Sequence, residues 1–262
     1  MKKFLVIMML MTSVCLFAQD AKPELQAEEE KDWGISLGLT FARNYFDKGS
    51  YVNIDPIFQG DVEFTWKQLF VGATGFFDCT DQNDHRQSFE EYDFTAGWRP
   101  TLGGDWDFFI KGIDFQLAYI YYLYPRVRED DSNELNFAAN LQCLLNPGVD
   151  IYWDFEDDLW YGNFNVSHDF TFMDNKLTWN IGSQLWWGNR RFQERDYEVS
   201  KNSAFSVVLE TSLTYAITEN ISFGPFASCG WALGSQMRHA WKEPKHQSAF
   251  NATYGVALTV EF

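Results

Sequence analysis

AFNATYGVALTVEF, residues 249–262, closes the chain and decides its fold. Phe250, Ala252, Tyr254, Val256, Leu258, Val260 and Phe262 fall on one side, and Asn251, Thr253, Gly255, Ala257, Thr259 and Glu261 on the other. Successive side chains of a strand project to opposite faces, so this segment meets apolar surroundings on one face and polar surroundings on the other, up to its terminal aromatic.

The same alternation recurs upstream. Trp33, Ile35, Leu37, Leu39 and Phe41 share one face of a first strand, against Gly34, Ser36, Gly38, Thr40 and Ala42. Val62, Phe64 and Trp66 oppose Asp61, Glu63, Thr65 and Lys67; Tyr92, Phe94, Ala96 and Trp98 oppose Glu91, Asp93, Thr95, Gly97 and Arg99. Further apolar sets run through Ile113 to Tyr121, Leu135 to Leu141, Val149 to Phe155, Phe164 to Phe170, Leu177 to Trp187, Phe205 to Tyr215 and Ile221 to Leu233. With the strand that follows Lys67-Gln68, the count is about twelve, with 10 to 14 admissible.

After the first residues, no apolar run is long enough for a membrane helix, yet aromatics are 18% of the chain and tryptophan occurs 11 times. Only helices and closed barrels satisfy their backbone in hydrocarbon, and a barrel hides its apolar content in every second residue. The expected fold is therefore all-β: a transmembrane antiparallel up-and-down barrel over residues 33–262 with both termini periplasmic. A soluble sandwich would share the alternation but would need a second sheet over each apolar face. Short turns at Lys67-Gln68, Asn146-Pro147-Gly148, Met173-Asp174-Asn175 and Thr218-Glu219-Asn220 carry tight-turn residues. Longer loops, near residues 44–56, 79–88, 125–132, 189–202 and 235–247, are assigned to the cell surface. Two connections break this length rule: residues 100–111 are long on the periplasmic side, and Glu156-Asp157-Asp158 is short on the external side.

Lys2 and Lys3 precede an apolar run from Phe4 to Phe17, followed by Ala18. This reads as an export signal cut after residue 18, too short to span a bilayer. Residues 19–32, rich in Glu, Lys and Ala, read as an acidic periplasmic tail. Cleavage leaves 18 basic against 37 acidic residues, a net charge of −19, which argues against nucleic acid as a partner. The C-terminal pattern at Tyr254, Val256, Leu258, Val260 and Phe262 looks like the signal read by the barrel-assembly machinery of the bacterial outer membrane. That machinery, periplasmic chaperones and outer-membrane lipid are the expected partners, and the outer membrane the expected location.

By parity, Asp61, Glu63, Glu91, Asp93, Asp114, Glu134, Asp150, Asp154, Asp169, Glu210 and Glu261 line the lumen against the basic Lys67 and Arg99. Crowded carboxylates hold water and cations, so an open pore of this kind prefers small cationic or neutral solutes. The competing reading is a plugged interior in which Arg190, Arg191 and Arg195 fold in from a surface loop to neutralise the acids. The small inward residues of the first and last strands mark the wider side of the lumen. Tyr122 and Tyr124 read first as part of the upper aromatic rim, with a constriction or a sugar-stacking surface as the alternative; Trp98, Trp153, Trp160, Trp187 and Trp231 read as interface anchors.

LTFARNYFDKGSYVNIDPIFQGDVEF, EEYDFTAGW, GIDFQLAYIYYLYP and SNELNF resemble the TorF family of small outer-membrane porin-like proteins. The most telling blocks are Glu91 to Gly97 and Tyr121 to Pro125. Lys48-Gly49 stands where such families usually carry Arg-Gly, and the last third matches less. The resemblance implies an outer-membrane barrel with a porin-like role.

Catalysis is the rival class. Asp78, Asp81, Asp84 and His85 form the tightest acid-histidine group, which reads as a solvated loop, with a cation site or the edge of a rim hydrolase as alternatives. No nucleophile elbow, helical metal-ligand pair or phosphate loop is present, so neither enzyme, cofactor nor metal is expected. Cys79, Cys143 and Cys229 remain in the mature chain. A closed structural or surface-receptor barrel without conductance is the other alternative.

Overall fold

The computed structural model describes residues 32–80, 89–103, 110–125, 131–242 and 248–262. The signal, most of the acidic tail, and the loop bearing Asp81, Asp84 and His85 lie outside them.

Twelve strands form a closed antiparallel barrel. In chain order they are β1 (Trp33–Ala42), β4 (Ile57–Trp66), β5 (Leu69–Asp78), β6 (Phe89–Trp98), β8 (Gly112–Leu123), β9 (Ser132–Leu141), β10 (Gly148–Asp154), β11 (Leu159–Phe172), β12 (Leu177–Gly188), β13 (Ser203–Ala216), β14 (Ile221–Ala232) and β15 (Phe250–Glu261). Three short strands stand outside the wall sequence: the hairpin β2 (Tyr45–Asp47) and β3 (Ser50–Asn53), and β7 (Thr101–Gly103), which extends the sheet beside β8. Two helices, α1 (Arg190–Tyr197) and α2 (Ser235–Ala240), sit in the connections after β12 and β14. No helix among the described residues is long and apolar enough to cross a membrane.

The ring closes where β1 meets β15, with Leu37 opposite Val260 and Phe41 opposite Val256. Phe262 extends the seam by donating its N–H to the Ile35 carbonyl at 2.9 Å. Closure pairs the edges of the sheet except where β15 runs on past the end of β1, beyond Gly255. Turn chemistry supports the tight connections: Lys67, Met173, Asp174 and Asn175 all take positive φ, between 55° and 65°. The long 100–111 connection sits at this same end and contains β7, so twelve strands hold without altering the parity.

The outer face is apolar on strand after strand. Leu37, Leu39, Val62, Phe64, Val71, Phe94, Leu117, Phe137, Phe164, Ile181, Leu209 and Val256 are all exposed, and no second sheet covers them. The sandwich alternative fails on this point. Tryptophans mark the two ends of the wall: Trp33 stands opposite Trp66 near the short turns, with Trp98 beside them, while Trp153 stacks on Trp160 at 5.0 Å near the other end. An exposed apolar band bounded by aromatic girdles is the surface a lipid-facing barrel presents.

One outward expectation is overturned. A register shift places Trp186 opposite Ser206 and Trp187 opposite Ala204, so Phe205 is the extra residue of a bulge. A bulge re-aims its residue, and Phe205 is fully buried among Phe192 and Tyr197. Around it, Leu159, Tyr161, Trp186, Val208, Met237 and Trp241 complete the largest buried apolar cluster. This cluster packs on one side of the barrel end, with Phe192 of α1 and Met237 of α2 within it.

Candidate functional site

The connection after β1 folds into the barrel instead of standing over its mouth, which corrects the surface assignment of residues 44–56. The cause lies in β15. Its ladder to β1 ends at Gly255, so the groups of residues 250–254 on that side need other partners. The Tyr51 hydroxyl supplies both, accepting from the Ala252 N–H at 3.0 Å and donating to the Ala252 carbonyl at 2.9 Å. Arg43 donates its N–H to the Tyr254 carbonyl at 3.0 Å. The small inward residues of the last strand thus do not leave open space: the hairpin occupies it.

Side chains fasten the hairpin on three more sides. The Ser206 hydroxyl donates to the Lys48 carbonyl at 2.6 Å, and Asn53 donates to the fully buried Asp78 at 3.1 Å. Across the lumen, the Tyr45 ring stacks on Phe76 at 4.6 Å and its hydroxyl donates to Glu91 at 3.0 Å. The hairpin therefore bridges the β13–β15 wall to β5 and β6.

At its tip, Lys48 reaches toward β11 and β12. Its ammonium pairs with Asp47 and lies 4.9 Å from the centre of the Tyr161 ring and 5.9 Å from that of Trp186. Tyr161 stacks on Tyr152 at 4.8 Å and donates to Glu134 at 2.6 Å, while Tyr122 donates to the same carboxylate at 3.0 Å. Burial alone would pull the Lys48 ammonium down, but Asp47, Tyr197 and Asp196 outweigh it and hold its pKa above the ordinary lysine value. Sequence reasoning missed this cation because Lys48 lies outside any strand whose parity could place it.

The predicted acids occupy the inner wall, where most meet neutral donors. Gln142 donates to Asp114 at 2.9 Å, Asn165 to Asp150 at 3.2 Å, Asn180 to Asp169 at 2.7 Å and Gln184 to Glu210 at 3.0 Å. Thr101 adds a donor to Asp114 at 2.6 Å. Asp61 lies over Gly38, where a Cβ would collide with its carboxylate. One oxygen of Asp93 is buried without a hydrogen-bond partner. The Asn and Gln residues share the acids' parity, so this signal was present in the sequence.

Two acids carry cations. Arg99 grips Glu63 through its two terminal guanidinium nitrogens at 3.2 Å and lies 4.2 Å from the centre of the Phe70 ring. Asp154, nearly fully buried, accepts from Arg195 and Ser132 at 3.0 Å each and from the Glu156 and Asp157 N–H groups at 3.1 Å. Of the three loop arginines, Arg195 thus reaches the wall. Arg191 pairs with Asp158 in an exposed position, and Arg190 with Glu194 on its own helix. Lys67 stands in the exposed turn with its ammonium over the Trp66 ring at 5.6 Å, on the outer side, and so leaves the inward set. Tyr122 and Tyr124 stack at 6.4 Å, with Tyr122 turned onto the Glu134 cluster.

Below the hairpin, a cavity of about 330 Å³ is bordered by Asp61, Glu63, Arg99, Gln116, Asn136 and Tyr152. Polar groups on this scale can hold water and a small solute.

No protein-family model and no curated protein matches the chain. Among solved structures it is similar to the KdgM porin, with a TM-score of 0.50 and 10% identity over 87% of this chain and 99% of that one. The KdgM porin in complex with disordered oligogalacturonate gives 0.48 and 10% over 87% and 99%. An outer membrane channel from Pseudomonas putida F1 gives 0.45 and 10% over 93% and 100%. What the chain shares with the KdgM porin at this identity is the architecture of the barrel.

Proposed function

We propose that this chain is a narrow outer-membrane channel of the porin type, in the manner of the TorF family, passing small cationic or neutral solutes along an acidic lumen. In this reading residues 1–18 direct export and are removed, residues 19–32 form a periplasmic tail, and the short-turn end with both barrel termini faces the periplasm. Its partners are outer-membrane lipid and, during assembly, chaperones and the barrel-assembly machinery. The carrying observation is an apolar cylinder enclosing a polar cavity bordered by Asp61, Glu63 and Arg99, with further acids such as Asp169 and Glu210 hydrogen-bonded to neutral amides.

Planar-bilayer recording tests it: discrete conductance with higher cation than anion permeability is expected. Neutralising Glu63, Asp93 and Glu210 together should lower that ratio, and Arg99→Gln should raise it. A ratio indifferent to all four positions would remove the acidic-lumen argument.

A second reading, a closed structural or receptor barrel, is favoured by the buried cluster under α1 and α2, which fills one side of the barrel end. It predicts a heat-resistant fold in detergent and no conductance. Neither reading assigns a catalytic residue.

A further inference from the structure

Lys48 is placed unlike any other cation in the described chain. Its ammonium sits on the faces of Tyr161 and Trp186 while paired with its hairpin neighbour Asp47, and its stem is largely buried, with 16% of the side chain exposed. The contacts that dock the hairpin use other atoms: the Lys48 carbonyl with Ser206, Tyr51 with Ala252, Tyr45 with Glu91 and Asn53 with Asp78. The wall beneath the ammonium belongs to different strands. Tyr161 and Trp186 are held in place by stacking with Tyr152, and Tyr161 also by its hydrogen bond to Glu134.

We propose that this aromatic wall of β11 and β12, backed by Glu134, is a binding subsite for alkylammonium groups, and that Lys48 is a tethered occupant which a cationic amine displaces. A ring face attracts a cation through its quadrupole, and the attraction grows where water is excluded. A carboxylate behind the ring strengthens it further, since Glu134 polarises the Tyr161 hydroxyl it accepts from. A tethered group competes at high effective concentration, so free amines bind weakly while Lys48 is home and more tightly once it is gone. Specificity follows from the same geometry: a primary amine on a short alkyl stem fits the position of the lysine end, whereas a hydrated metal ion gains little from ring faces. Displacement during passage rests on the channel reading; the binding does not.

Titration calorimetry on the purified barrel in detergent separates the two. Lys48→Ala opens the space of the stem, and n-butylammonium chloride should bind it at least tenfold more tightly than it binds the unaltered protein. Sodium chloride and n-butanol should show no such gain, and adding Trp186→Leu should abolish it. Equal affinity in both proteins, no binding to Lys48→Ala, or equal binding of n-butanol overturns the proposal. If Lys48→Ala does not fold, Lys48→Met keeps the stem, and methylammonium chloride must show the same tenfold margin. Failure of both variants to fold makes Lys48 part of the scaffold and likewise overturns the proposal. A binding gain without conductance would retire the channel and keep the subsite; conductance without the gain would do the reverse.

Discussion

Gly230 and Gly49 meet backbone to backbone inside the barrel: a Cβ on Gly230 would lie 2.4 Å from the Gly49 Cα and 2.6 Å from its carbonyl oxygen. Gly49 itself takes φ +92°, a conformation few other residues adopt, so the hairpin tip and the wall are matched as a pair. Gly230→Val should therefore push the tip off β14 while leaving the strand's own conformation acceptable. Overpacking of this kind costs about 1–3 kcal/mol. The expected outcome is a lower thermal midpoint in detergent and new protease cleavage within residues 44–56; an unchanged cleavage pattern would mean the hairpin is not held by this contact.

Lys48 should stabilise the docked hairpin with a definite pH window. Its pKa is raised above the reference value of 10.5. A group with a raised folded pKa contributes fully below its unfolded pKa and loses that contribution as pH climbs through the folded one. The stability difference between the unaltered protein and Lys48→Met should then be flat from about pH 7 to pH 10 and shrink only above, where lysine loses its proton in the unfolded chain. Urea unfolding followed by tryptophan fluorescence at several pH values checks this, and a difference that falls between pH 7 and pH 9 contradicts it.

Asp154 organises the end of β10 and the base of α1. Arg195→Ala removes one of its four hydrogen-bonding partners, and the arginine side chain is 41% exposed, so the loss should be small, about 1 kcal/mol. Asp154→Ala removes the acceptor from all four at a fully buried position and should cost about 3 kcal/mol. Hydrogen exchange should show α1 loosened in both variants and the 155–158 turn only in the second.

Phe262 separates folding from delivery. Its backbone, not its ring, makes the seam hydrogen bond to Ile35, and its side chain is exposed. Phe262→Ala should thus refold in detergent with a near-normal midpoint, yet accumulate poorly in the membrane of cells if the terminal aromatic is read during assembly. Equal membrane yield would show that the ring carries no such information.

The fold was legible because alternation is a local property: residues i and i+2 must share a face wherever a strand forms, so Val62 and Phe64 declared the outside, and Asp61 and Glu63 the inside, without reference to neighbours. Even the amide partners of the acids could be read this way, since Asn180 and Asp169 each obey the same parity on adjacent strands. Phe205 escaped it because a bulge inserts one residue and resets the parity, and nothing in SAFSVVL announces where the insertion falls.

What periodicity determined, then, is the wall: twelve antiparallel strands with an apolar exterior. What lies within the wall was decided by tertiary structure. Residues 44–56 carry the polar and turn-forming composition of any exposed loop, and their inward course follows from the unpaired edge of β15 at Ala252 and the close approach at Gly230, more than 170 residues away in sequence. Lys48 acquires its aromatic setting only through that folding back. Contacts between distant segments depend on where closure brings them, and a repeat of period two holds no record of it.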